Sequence, residues 1–145
     1  MIHRVLAAVD ASPRAARVLA AAQQIALRFA ADLTVLRVVF VPPEFPPAAA
    51  TAEDMLGTCL LRDAERGLRE LLTATNLPLP TTLLAREGHP VQTILEVAES
   101  IRADVIVLGS HGYHGLDRLL GTTTAKIANL AHTNVFIVHG IEDRK

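Results

Sequence analysis

Apolar residues gather in five short runs, separated by stretches of a different period. The runs are HRVLAAVD (3–10), DLTVLRVVF (32–40), PTTLLAREG (80–88), ADVIVLGS (103–110) and TNVFIVHG (133–140). The first, fourth and fifth are nearly continuous in apolar residues, the pattern of strands covered on both faces. Between the runs lie SPRAARVLAAAQQIALRFA (12–30), TAEDMLGTCLLRDAERGLRELLTAT (51–75), HPVQTILEVAESI (89–101) and GTTTAKIANLA (121–131). Each repeats its apolar residues at three- and four-residue steps, which predicts four helices. Strict alternation of strand and helix predicts a parallel sheet with right-handed crossovers and helices on both faces, an α/β fold.

End signals agree with these elements. Ser12-Pro13 reads as an N-cap with proline at the first helical position. Thr51, with Glu53 and Asp54, places negative charge in the first turn of the second helix. Gly88-His89-Pro90 opens the third. The segment VPPEFPPAAA (41–50) breaks the pattern. Its prolines fit neither a sheet nor a helix interior, so it is a stiff connection, or a flap beside a crevice at the end of the second strand. No repeat or linker divides the chain, and residues 1–145 are expected to form a single domain.

Composition narrows the function. A length of 145 residues suffices to bury roughly two-thirds of the unfolded surface. A net charge of −1 argues against a nucleic-acid-coating surface, and 3 % aromatic residues without Trp argue against stacking platforms for single strands. The single cysteine, Cys59, excludes an internal disulfide and a multi-thiolate metal site, and its helical setting reads as a buried or half-buried structural thiol. No apolar run reaches the ~18 residues of a membrane span, and the first run goes straight to Asp10, as a strand does and a signal peptide does not. The cytoplasm is the expected location.

In open α/β sheets ligands bind beyond the carboxyl ends of the strands, where strand order reverses. With the first strand central, Val9-Asp10 would neighbour Gly109-Ser110. Asp10 is either an acceptor for a ribose hydroxyl or base amine, or a helix-capping aspartate near Ser12. Gly109 and Gly112 bracket Ser110-His111, and glycine there permits close approach of backbone to a ligand. Gly121-Thr122-Thr123-Thr124 opens a helix whose free N–H groups suit phosphate. Neither a Walker sequence nor a dinucleotide glycine fingerprint is present. His111 and His114 are three apart, but no Cys pair or carboxylate cluster lies close in sequence, so the histidines read as surface or structural residues, with His111 able to touch a phosphate. Asp117-Arg118 reads as a loop–helix charge pair. A phosphoacceptor receiver domain would need an acidic cluster after the first strand, an Asp after the third and a lysine after the fifth; Glu87-Gly88 follows the third strand and His139-Gly140 the fifth.

Three segments in order, Val5–Ala26, Glu87–Gly112 and Gly121–His139, resemble the universal stress protein family over nearly the whole chain. The resemblance implies a three-layer αβα fold of the adenine-nucleotide alpha hydrolase type, with a five-stranded parallel sheet in order 3-2-1-4-5 and four helices. It implies an ATP site, or one for AMP or ADP, with Mg2+. In that site Ala8, Val9 and Asp10 would hold the adenine or ribose end, and the backbone around Val38 and Leu108 would line the base. Gly109, His111, Gly112, Gly121, Thr122 and Thr123 would meet the phosphates. It further implies a homodimer paired through the last strand, Asn134 to His139, signalling to a protein partner, with at most slow ATP hydrolysis and no catalytic residue. The sequence departs from the ATP-binding branch once: eight residues, YHGLDRLL, separate Gly112 from Gly121, one fewer than the pattern. The loop at Gly115 absorbs the deletion, or Gly121 tilts away and the protein is a nucleotide-free dimeric interaction module.

Overall fold

The computed structural model describes residues 1–40, 50–110 and 121–140, and the side chains of all of these except 50–54. Five strands and four helices alternate: β1 (Arg4–Ala8), α1 (Ala15–Phe29), β2 (Asp32–Val39), α2 (Ala50–Thr75), β3 (Thr81–Glu87), α3 (Pro90–Ser100), β4 (Val105–Gly109), α4 (Thr122–Leu130) and β5 (Asn134–Val138). The sheet runs β3-β2-β1-β4-β5, and every pairing is parallel. The fold class and strand order are those the sequence implies. Residues 41–49, 111–120 and 141–145 lie outside the described residues, and with them the proline-rich connection, His114 and the Asp117-Arg118 pair.

The order follows from crossover handedness. Successive right-handed crossovers carry the chain from β1 outward to β3, then back across to β4 and outward to β5. The first two helices therefore cover one face and the last two the other. Two cores result. Val5, Ala7, Leu33, Val35, Val105 and Val107 pack with Val18, Leu19 and Ala22 of α1 and Leu68 of α2. Leu6, Leu36, Ile106 and Leu108 pack with Ile94 and Val97 of α3 and Ile127 of α4. Alternation along each strand assigns its residues to one core or the other. Within the first core Gln23 is buried, and its Nε2 donates to Thr75 Oγ1 at 3.0 Å, which ties α1 to the end of α2.

Three local readings are corrected. The first helix begins at Ala15, not next to Ser12. Ser12 Oγ accepts from the Arg14 N–H at 3.2 Å and Ser12 O from Ala15 N at 3.1 Å, so a side-chain-stabilised turn precedes the helix. Cys59 is exposed, because α2 turns Gly57, Ala64 and Leu68 inward and leaves Cys59 on its outer side. β1 and β4 are indeed buried on both faces, but β5 is not: as the sheet edge it leaves Phe136 48 % exposed. The opening of α3 is as read, with His89 at the N-cap and Pro90 in the first turn.

The amino edge of the sheet is fastened by Asp104. Its Oδ2 accepts from the His3 N–H at 2.7 Å and the Arg4 N–H at 2.9 Å. These two backbone donors, with the nearby charge of His3, hold its carboxyl below the ordinary 3.8 against a smaller opposing effect of burial. A carboxylate whose native pKa is depressed adds stability that is complete above its unfolded value and is lost as pH falls through the native one. Asp104→Asn removes this contribution. The gap in urea midpoint between wild type and variant should hold from neutral pH to about pH 5 and shrink below about pH 4. An undiminished gap at pH 2 would show that the carboxylate's charge plays no part.

Candidate functional site

The centre of the carboxyl edge lies between β1 and β4, the two strands from which the chain departs in opposite directions. Val5 pairs with Val105, Leu6 with Ile106 and Ala7 with Val107, so the two strands end side by side. β2 is longer and rises beyond them. Ala8 pairs with Leu36, which leaves Val38 and Phe40 about 7 Å and about 13 Å further along. β3 follows β2 upward, and the Gly88 N–H donates to Val39 O at 3.0 Å. The sheet edge is therefore stepped, with a low floor at β1 and β4 and a wall at β2 and β3.

Three of the sequence-predicted residues meet on one side of this step. Ala8, Val38 and Leu108 all pack toward the core beneath α3 and α4, Ala8 and Val38 being only half-buried. Val9 faces the opposite core and is buried; its N–H donates to Leu36 O at 2.9 Å. Asp10 follows at the surface, and its Oδ1 accepts from the Ser12 N–H at 2.9 Å. The helix-capping reading of Asp10 is corrected: this bond closes a turn ahead of α1, whose N-cap is Arg14 without a side-chain cap. His111 and Gly112 lie outside the described residues.

The other end of the crevice is the start of α4. Gly121 is its N-cap, in extended conformation and without a side-chain cap. Thr122 is exposed and Thr123 half-buried, so the first turn's N–H groups and two hydroxyls lie near solvent. Thr124 faces inward, and its buried Oγ1 donates to Gly109 O at 2.7 Å. That bond fixes the helix start to the end of β4, across the twelve residues that separate the two elements. Sequence reasoning placed the ligand threonines at 122 and 123 and missed this tether. The available signal was position: 124 shares a helix face with Ile127, three residues on.

Two further residues at this edge carried no sequence motif. Phe40 and His89 stand with ring centroids 5.0 Å apart and planes inclined by 45°. Among the described residues no three His, Cys, Asp or Glu side chains are grouped to hold a metal ion, and no helix is long and apolar enough to cross a membrane.

The family model described as "Universal stress protein family" matches residues 1–139. The chain belongs to the universal stress protein family. Among its relatives in that family is Universal stress protein A homolog 1 of Coxiella burnetii, 34 % identical over 142 residues, covering 92 % of this chain and 94 % of the relative. Universal stress protein UspA from Lactobacillus plantarum superposes with a TM-score of 0.77 at 29 % identity, over 94 % of this chain and 97 % of the other. A universal stress protein solved in complex with cAMP superposes with a TM-score of 0.65 at 26 % identity, over 95 % and 97 % of the two chains. A universal stress protein of this kind is a stress-response protein, and in that last case the structure holds an adenine nucleotide.

Proposed function

We propose that this universal stress protein binds an adenine nucleotide, ATP with Mg2+ or else ADP or AMP, in the stepped crevice at the carboxyl edge of the sheet. The observation that carries the reading is the convergence of Ala8, Val38 and Leu108 on one face, between Asp10 and the start of α4. Ala8 and Val38 leave a half-exposed apolar surface for a base. Asp10 is an acceptor for ribose or for the base's amino group. Gly109, Gly112, Gly121, Thr122 and Thr123, with His111, meet the phosphates. The start of α4 supplies N–H donors and the positive end of the helix dipole. The cAMP complex of a relative supports a nucleotide of this class.

On this reading the protein is a nucleotide-dependent switch in the cytoplasm, with at most slow ATP hydrolysis. Nucleotide that binds one conformation better than another shifts the population, and a partner protein reads the shift. β5, Asn134–Val138, pairs with β4 on one side and ends the sheet with Phe136 exposed, an edge that favours a homodimer through Asn134 to His139. A dimer alone, without nucleotide, is the competing reading.

Titration with ATP and magnesium separates the two. Ten times the Kd should stabilise the protein by about 1.4 kcal/mol and raise its thermal midpoint by about 3–6 °C. An unmoved midpoint at millimolar nucleotide would leave the dimeric interaction module as the function.

A further inference from the structure

A second recess lies at the amino edge of the sheet, at the opposite end of the strands from the crevice. The four steps of β1 from Arg4 to Ala8 set the two edges about 13 Å apart. The recess has a volume of about 620 Å3, within the range of small-molecule sites. Strand alternation decides what lines it. Arg4 shares a sheet face with Leu6, Asp32 and Thr34 share one with Leu36, and Thr82 with Leu84, all on the side covered by α3. Ser100 and Arg102 close the recess from the end of α3. Arg102 stands just past that end, with φ at +53°, and the Ala103 N–H donates to Ala98 O at 2.8 Å. Arg4 and Asp32 are register partners on adjacent strands. Yet among the described residues neither forms an ion pair, and Arg102 forms none either. All three are exposed. Asp104, just before β4, is already committed to the His3 and Arg4 backbone N–H groups.

We propose that this recess is a second binding site, for a small phosphorylated and polyhydroxylated molecule of the sugar-phosphate class. It stands independently of the nucleotide reading. Arg4 and Arg102 present guanidinium forks, the geometry that suits phosphate oxygens. Asp32 can only accept hydrogen bonds. Ser100 Oγ already donates to Val97 O at 2.9 Å, so it offers a ligand lone pairs alone. The end of α3 is the negative pole of its dipole, which disfavours an anion and favours hydroxyl donors. The phosphate is therefore assigned to the two guanidiniums, and the hydroxyls to Asp32, Ser100 and the helix end. A bare phosphate would meet Asp32 as a like charge and leave the acceptors unused. A neutral sugar would leave both arginines without a partner. A ligand with both parts satisfies both.

The test titrates isotope-labelled protein with glucose 6-phosphate, inorganic phosphate and glucose at constant ionic strength, followed by amide NMR shifts. Glucose 6-phosphate should give saturable shifts at Arg4, Asp32, Thr82 and Arg102, and none at Thr122 or Thr123. Inorganic phosphate should bind more weakly, and glucose should not bind in the same millimolar range. Arg4→Gln and Arg102→Gln should each weaken glucose 6-phosphate binding about 10- to 100-fold, the loss of one charged hydrogen-bonded contact. Asp32→Asn should weaken glucose 6-phosphate but not inorganic phosphate, a split that a damaged fold would not produce. The wild-type titration decides the proposal by itself should a variant fail to fold. The absence of saturable shifts at the amino edge overturns it, as do shifts confined to the start of α4. So do arginine variants that bind as wild type does, or inorganic phosphate that binds as tightly as the sugar phosphate.

Discussion

Replacing Gly88 by alanine should cost about 3 kcal/mol or more, a large part of the total stability of an ordinary domain. Gly88 joins β3 to α3 with φ at +154°, outside the range that L side chains accept readily. Backbone strain of this kind is of order 1–3 kcal/mol. A Cβ there would also lie 2.5 Å from Thr93 Oγ1, close enough that Thr93 must move or the helix start must shift. Overpacking of this sort adds about 1–3 kcal/mol. The two contributions are separable. In Gly88→Ala with Thr93→Ala the steric part should return and the strain remain, so the double variant should be more stable than the single one. Urea unfolding of the three proteins measures this. If the double variant is no better than Gly88→Ala, the clash is relieved by other means and backbone conformation accounts for the whole loss.

Thr124→Val is expected to lower stability by about 1–3 kcal/mol and to weaken nucleotide binding as well. Valine fills nearly the same space but has no hydroxyl, so the buried bond to Gly109 O is lost and the carbonyl is left without that donor. Thr124→Ser keeps the hydroxyl and removes one methyl group, at about 0.8 kcal/mol. The two variants differ in what they do to position. The hydroxyl holds Gly121, Thr122 and Thr123 against the end of β4, so the valine variant should lose ATP affinity and the serine variant should keep it. Denaturant curves of unchanged slope, together with ATP titrations, give both quantities. Equal behaviour of the two variants would reduce Thr124 to a packing residue.

The architecture was legible because the strand runs and helix periods are strong and differ in period. Each of the nine elements lies within two or three residues of its sequence-predicted segment. The ends were less legible. At Ser12 the cap pattern was real, but its hydroxyl stabilises a turn and not the helix itself, and only the geometry distinguishes these uses. Composition could not reveal that β5, as apolar as β4, would lie half-exposed at the edge; burial depends on strand order and not on local hydrophobicity. The candidate site divides in the same way. Ala8, Val38 and Leu108 followed from the resemblance, and the structure brings them onto one face. Thr124, Phe40 and His89 did not. A hydroxyl that reaches a carbonyl fifteen residues away, or two rings that meet across two strand ends, leaves no mark in the order of residues.

The pairing of Val5 with Val105 has a consequence for how the chain is made. Of the five strands, the earliest in sequence occupies the middle of the sheet, yet one of its two neighbours lies a hundred residues later. Until β4 emerges, β1 can pair only with β2, and its other side is a bare apolar edge of the kind that recruits other chains. Any event that ends or cuts the chain before Val105 therefore releases an unfinished sheet open at its centre. A fragment of that length would be a hazard to the cell and not a smaller working version of the protein.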